Sequence, residues 1–108
     1  ILFIDSSHVA KTGGDVLWEL CYILPSLKPG VIIHIHDMFY PFVYPSGWLQ
    51  EGRAYNEAFV VRALLMNSSQ YDILIWNDMM LKEYPQEFLQ SWCREYPAYG
   101  VSLWLQKR

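Results

Sequence analysis

The sequence predicts an α/β domain whose sheet has two parallel strands followed by an antiparallel pair, with helices on its faces. Three observations carry this. Residues 1–4 and 31–36 are short apolar runs that end at acids, Asp5 and Asp37. Runs bounded in this way fit strands of a parallel sheet, buried on both faces. Between them the apolar residues follow helical spacing, so the order is strand, helix, strand, the unit that joins parallel neighbours. Residues 101–105 instead alternate Val101, Leu103 and Leu105 with Ser102 and Trp104, a period of two that predicts a final, antiparallel strand.

The remaining elements follow in order. Residues 6–14 are polar and glycine-bearing and read as a loop, and Asp15 is placed to cap the next helix. That helix runs over 16–24 through Val16, Leu17, Leu20, Cys21, Ile23 and Leu24, and Pro25 with Lys28-Pro29-Gly30 ends it. Pro41, Pro45 and Gly47 mark a long loop after the second strand. A helical pattern over 51–68 carries Phe59, Val60, Ala63, Leu64 and Met66, with Asn56 as a cap. A third strand spans 71–76, and Pro85 opens a short helix reaching about residue 95.

With 108 residues there is room for one core, so the chain is read as a single partial domain over 1–108. Hydrophobic residues make up 53 % and charged residues 18 %, well outside the disordered regime. The net charge is -3 with only eight Lys and Arg, two of them Lys107 and Arg108 at the end, so nucleic acid is not expected as a partner. Charges or Pro interrupt every apolar stretch before it reaches the length of a membrane span. Cys21 and Cys93 read as buried or half-buried thiols in a reducing, cytoplasmic compartment, with a disulfide between them left open. The chain opens inside an apolar run with neither Met nor a basic leader, so upstream sequence is expected.

Ligands bind beyond the C-terminal ends of strands in open α/β sheets. Asp5 and the pair His36-Asp37 end adjacent strands, and strands lie roughly 5 Å apart. Asp5, His36 and Asp37 are therefore the candidate ligands of a divalent cation, Mg²⁺ by its taste for oxygen, with Mn²⁺, Fe²⁺ or Zn²⁺ open through the imidazole. His8, in the loop above the same edge, is the candidate general base. His34 reads as a core histidine with its hydrogen bonds satisfied. Tyr40, Tyr44 and Trp48 read as loop packing, with substrate contact as the sharper alternative.

Phe3-Ile4-Asp5-Ser6-Ser7-His8, Leu24-Pro25-Ser26-Leu27-Lys28-Pro29-Gly30 and His34-Ile35-His36-Asp37, in that order, resemble the second half of class I S-adenosylmethionine (SAM)-dependent methyltransferases. Tyr55-Asn56-Glu57 and Ser102-Leu103-Trp104-Leu105 are similar to a bacterial, metal-dependent group acting on sugars and natural products. The resemblance implies the C-terminal half of a Rossmann-like domain and, in the parent protein, methyl transfer from SAM to a hydroxyl of a small-molecule acceptor. It also implies metal binding at Asp5, His36 and Asp37. The Gly-rich turn and the ribose-binding acid of that family are absent from this chain, and His36 stands where an acid is usual. SAM binding and methyl transfer are thus not expected of the chain alone.

Two other readings compete. A metallohydrolase would use His34-Ile35-His36, but the three His residues fall short of such sites. A non-catalytic half-domain would dimerise without chemistry. Either way a homodimer or higher oligomer is expected, because the first strand is an apolar edge that nothing blunts.

Overall fold

The computed structural model describes residues 1–90 and 100–108. Four strands form one sheet in the order β1 (Leu2–Ile4), β2 (Ile32–His36), β4 (Ser102–Lys107), β3 (Tyr71–Trp76). β1 and β2 are parallel, with Leu2 opposite Ile33 and Ile4 opposite Ile35. β4 runs antiparallel to both of its neighbours, pairing Ile33 with Leu105 and Ile35 with Leu103 on one side and Trp76 with Leu103 on the other. The last strand in sequence therefore lies between the second and third.

Helical segments connect the strands. Asp15–Trp18 (α1) continues through a π turn at Glu19–Ile23 into α2 (Leu24–Ser26). Then come α3 (Ser46–Gln50), α4 (Glu57–Leu65), α5 (Asn77–Glu83) and α6 (Pro85–Gln90). One sheet face and the helices share the core: Ile4, Ile33, Ile35, Leu103 and Leu105 cluster with Val16, Leu20, Leu24, Ala58 and Val61, all buried. Val16, Leu20 and Leu24 are four residues apart, and a regular helix advances 3.6 per turn. Two such steps would carry Leu24 off the buried stripe; the π turn, bonded one residue further along, brings it back.

Several expectations are corrected. β1 is buried on one face only, because Phe3 points to the other face and is 60 % exposed. Residues 51–56 are not helical: Gly52 has a φ of 81°, and α4 starts at Glu57. A separate turn of helix, α3, occupies part of the expected loop. Asp15 is the first helical residue behind Gly14, and its carboxylate accepts bonds from the Ser7 amide (2.8 Å) and hydroxyl (2.6 Å). Those bonds, the hydroxyl first, hold the Asp15 carboxyl below its ordinary range. Cys21 is an exposed free thiol instead of a buried one. Cys93 and the far end of the helix expected to reach residue 95 lie outside the described residues. Among the described residues no helix is long and apolar enough to cross a membrane.

The segment after β2 is tied down from β3 and α5. The indole N–H of Trp76 donates to the Met38 carbonyl at 2.6 Å, and the Tyr40 amide donates to Asp78 Oδ2 at 2.7 Å. Lys82 Nζ bridges that carboxylate and the Tyr40 carbonyl, each at 2.8 Å. Trp76→Phe keeps an aromatic ring but strands a buried carbonyl. Its expected cost is about 1–3 kcal/mol, read as a lower urea midpoint at unchanged m-value. A midpoint equal to wild type would show that the Met38 carbonyl finds another donor.

A buried histidine–glutamate pair at the strand ends

The loop after β1 is clamped to the start of α4. The His8 carbonyl accepts the amides of Asn56 (3.0 Å) and Glu57 (3.2 Å). The Ala10 amide donates to Asn56 Oδ1 at 2.6 Å, and Asn56 Nδ2 returns a bond to the Ala10 carbonyl at 3.4 Å. Asn56 thus stands at the helix N-cap position as expected, but its side chain secures the loop instead of capping the helix.

This clamp holds His8 at a φ of 57°, a left-handed conformation. Asp37, the residue that leaves β2, has a φ of 51°. Such conformations in residues other than glycine cost on the order of 1–3 kcal/mol, and they persist where the surroundings over-determine them. Here the clamp fixes one, and the bonds to Met38 and Tyr40 fix the chain just beyond the other.

Side chains converge on the His8 ring. Glu57, fully buried, places Oε2 2.7 Å from His8 Nδ1, and its Oε1 accepts the Ser6 hydroxyl at 3.2 Å. His8 itself is only 6 % exposed, with Tyr55 tilted against the ring at a centroid distance of 4.9 Å. On the opposite side of the ring, Nε2 lies 3.6 Å from Asp5 Oδ1 and 3.7 Å from Asp37 Oδ2. The hydrogen bond to Glu57 pushes the His8 pKa above 6.5; burial opposes this, and the charges of Glu57, Asp37 and Asp5 reinforce it. Glu19, on the π turn, has a buried Oε2 with no hydrogen-bond partner, and burial together with Asp15 and Glu57 raises its pKa.

Three of the four residues expected at the rim therefore meet: Asp5, His8 and Asp37. His36 stands apart. Its Nε2 is 3.8 Å from Asp37 Oδ1, while its Nδ1 is 3.3 Å from His34 Nε2 on the other sheet face. His34 is buried as expected, stacked on Phe3 at 4.1 Å, but its Nδ1 has no partner, so it is not the satisfied core histidine the sequence predicts. Burial, with His36 adding to it, lowers the His34 pKa. Among the described residues, no group of three or more His, Cys, Asp or Glu side chains is gathered so as to hold a metal ion.

The loop aromatics resolve toward packing. Tyr44 is buried, and its hydroxyl accepts the Ala58 amide at 3.2 Å; burial pushes its phenol well above the ordinary range. Trp48 sits half-buried against Phe39, Tyr44 and Tyr55, with Arg53 over its ring. Tyr40 meets Trp76 edge to face at 5.1 Å.

Sequence reasoning named Glu57 only within Tyr55-Asn56-Glu57, as a helix start, and did not place it beside His8. It reads as an ordinary first-turn acid, a favourable place on any helix. The signal that could have found it is its position four residues before Val61, on the buried stripe of α4. Comparison of this chain with protein-family models, curated proteins and solved structures finds no match.

Proposed function

We propose that this chain is the acceptor-activating half of an O-methyltransferase, in which His8 takes the proton of a substrate hydroxyl. The observation that carries the reading is the buried Glu57–His8 pair, with the second ring nitrogen 3.6 Å from Asp5 and 3.7 Å from Asp37. A carboxylate on Nδ1 fixes the tautomer that leaves the Nε2 lone pair free, and it stabilises the imidazolium once the proton has arrived. Asp5 and Asp37 add to that stabilisation. The strand order, a parallel pair followed by an antiparallel pair, supports the same reading.

SAM would supply the methyl group. The residues of this chain do not fit that cofactor by themselves, since Asp15, the acid beside the Gly13-Gly14 turn, is already engaged by Ser7. The proposed work of the chain is therefore limited to binding and deprotonating the acceptor. Nor do Asp5, His36 and Asp37 fit a shared cation in the observed arrangement, so proton removal rests on His8 and Glu57. The test is a methyl-transfer assay on the protein expressed from the complete reading frame, with a panel of hydroxyl compounds. A methyl ether formed by wild type and lost in His8→Gln is expected. Equal product from both proteins would reject the proposal.

A further inference from the structure

Strand alternation puts His34 and His36 of β2 on one face of the sheet, away from Ile33 and Ile35, which are fully buried in the core. His34 is pinned on two sides. Phe3 stacks on its ring at 4.1 Å with 8° between the planes, and Trp104, its partner in register on β4, meets it edge-on at 4.5 Å. The residue is only 6 % exposed. His36 is looser, with its side chain 41 % exposed and its ring tilted 34° from that of His34. Across the gap, His34 Nε2 and His36 Nδ1 stand 3.3 Å apart. As a hydrogen bond this is long. It is also the separation of two nitrogens that share one metal ion: at about 2.0–2.1 Å from a tetrahedral Zn²⁺ they stand about 3.3–3.4 Å apart.

We propose that His34 Nε2 and His36 Nδ1 together bind one late first-row divalent ion, Zn²⁺ by this geometry, on the sheet face opposite the core. Neutral imidazole suits Zn²⁺, Cu²⁺ and Ni²⁺, whereas Mg²⁺ and Ca²⁺ prefer oxygen, which the two rings do not offer. Chelation requires both lone pairs to point at one position, and rotation of the part-exposed His36 ring supplies this. Each ring stays neutral and keeps one proton, His36 on Nε2 and His34 on Nδ1. Asp37 Oδ1 lies 3.8 Å from His36 Nε2, on the side where a carboxylate commonly orients a metal-bound imidazole. His34 Nδ1 is buried without a partner, so a proton there has no acceptor and holds the affinity down. Among the described residues no third His, Cys, Asp or Glu joins the pair, so water completes the coordination. The ion sits apart from the rim, since Asp37 turns its other oxygen, Oδ2, toward His8.

The test starts from protein in which Cys21 and Cys93 are replaced by Ser, which removes competing thiols. Calorimetric titration of Zn²⁺ is expected to show one ion per chain. His36→Ala should weaken binding by at least about 10-fold, since even losing a group behind a ligand costs about 10–100-fold. Asp5→Asn, at the rim, should bind Zn²⁺ as its parent does. In NMR spectra of the imidazole nitrogens, Zn²⁺ should shift His34 Nε2 and His36 Nδ1, and Mg²⁺ should shift neither. The spectra need no histidine substitution, so they decide the matter even where His36→Ala fails to fold. Absence of Zn²⁺ binding overturns the proposal. So does binding that survives His36→Ala, that Asp5→Asn abolishes, or that leaves both nitrogens unshifted.

Discussion

Glu57→Ala is expected to lose about 3–5 kcal/mol of folding stability, the range for breaking a buried ion pair from one side. Glu57 is fully buried, and His8 is nearly so. Removing the carboxylate leaves Nδ1 of a buried imidazole and the Ser6 hydroxyl without their acceptor. The loss also falls where the His8 backbone is strained, so the clamp on the loop should loosen with it. Glu57→Gln keeps the shape and an amide oxygen for Nδ1–H and gives up the charge, so a smaller loss of about 1–2 kcal/mol is expected. Urea denaturation measures both. A Glu57→Ala midpoint indistinguishable from wild type would mean that the pair contributes nothing to the fold. The pH dependence follows from the raised His8 pKa. A pKa raised by folding stabilises fully below the unfolded value of 6.5, and this stabilisation fades as pH climbs through the folded value. Wild type should therefore lose stability on going from mildly acidic to mildly alkaline buffer, and Glu57→Ala should show a flatter profile there.

His8→Gln is expected to lower turnover of the protein from the complete reading frame by about 10²–10⁴-fold, the usual worth of a general base. Gln retains a hydrogen-bonding group but cannot take up a proton at neutral pH. Glu57→Gln should show a smaller loss with a diagnostic shape. Without the carboxylate that raises the His8 pKa, the acid limb of kcat/KM moves to lower pH, because the imidazole is freed of its proton earlier. A purely structural role for Glu57 would reduce the amount of active enzyme and leave the limb in place. Turnover of His8→Gln equal to that of wild type would remove His8 from the chemistry.

The framework was largely legible in the sequence because it rests on patterns of period. The apolar runs located β1 and β2, and the alternation of Val101, Leu103 and Leu105 marked β4 as an antiparallel strand, but its insertion between β2 and β3 was not legible. Exposure on one side of β1 was not legible, since an apolar Phe3 looks the same whether its face is covered or open. Short helices escaped for a related reason. α3 and α5 are too brief to build a periodic signal, and the ties of Asp78 and Lys82 to Tyr40 span distances in sequence that no local pattern reports. At the site, topology brought Asp5, His8 and Asp37 together as the strand ends predicted. His36 does not join them, because strand alternation, itself legible in the sequence, turns its ring onto the face of His34. Glu57 lay 49 residues from its partner, beyond the reach of motif spacing.

The π turn at Glu19–Ile23 has a meaning for length variation in this chain. Four-residue spacings overshoot a regular turn by about 40° each, so Val16 and Leu24 would sit about 80° apart on a plain α-helix. The wide turn absorbs that excess, as though one amino acid had been inserted and accommodated in place. Taking one residue out of the segment would set the same two anchors seven positions apart, and seven positions complete almost two whole turns. Both anchors would keep their places, and the connection from β1 to β2 could shorten by one position without sliding either strand. The wide turn is in effect a spare residue held in store, the spot where a deletion disturbs the sheet least.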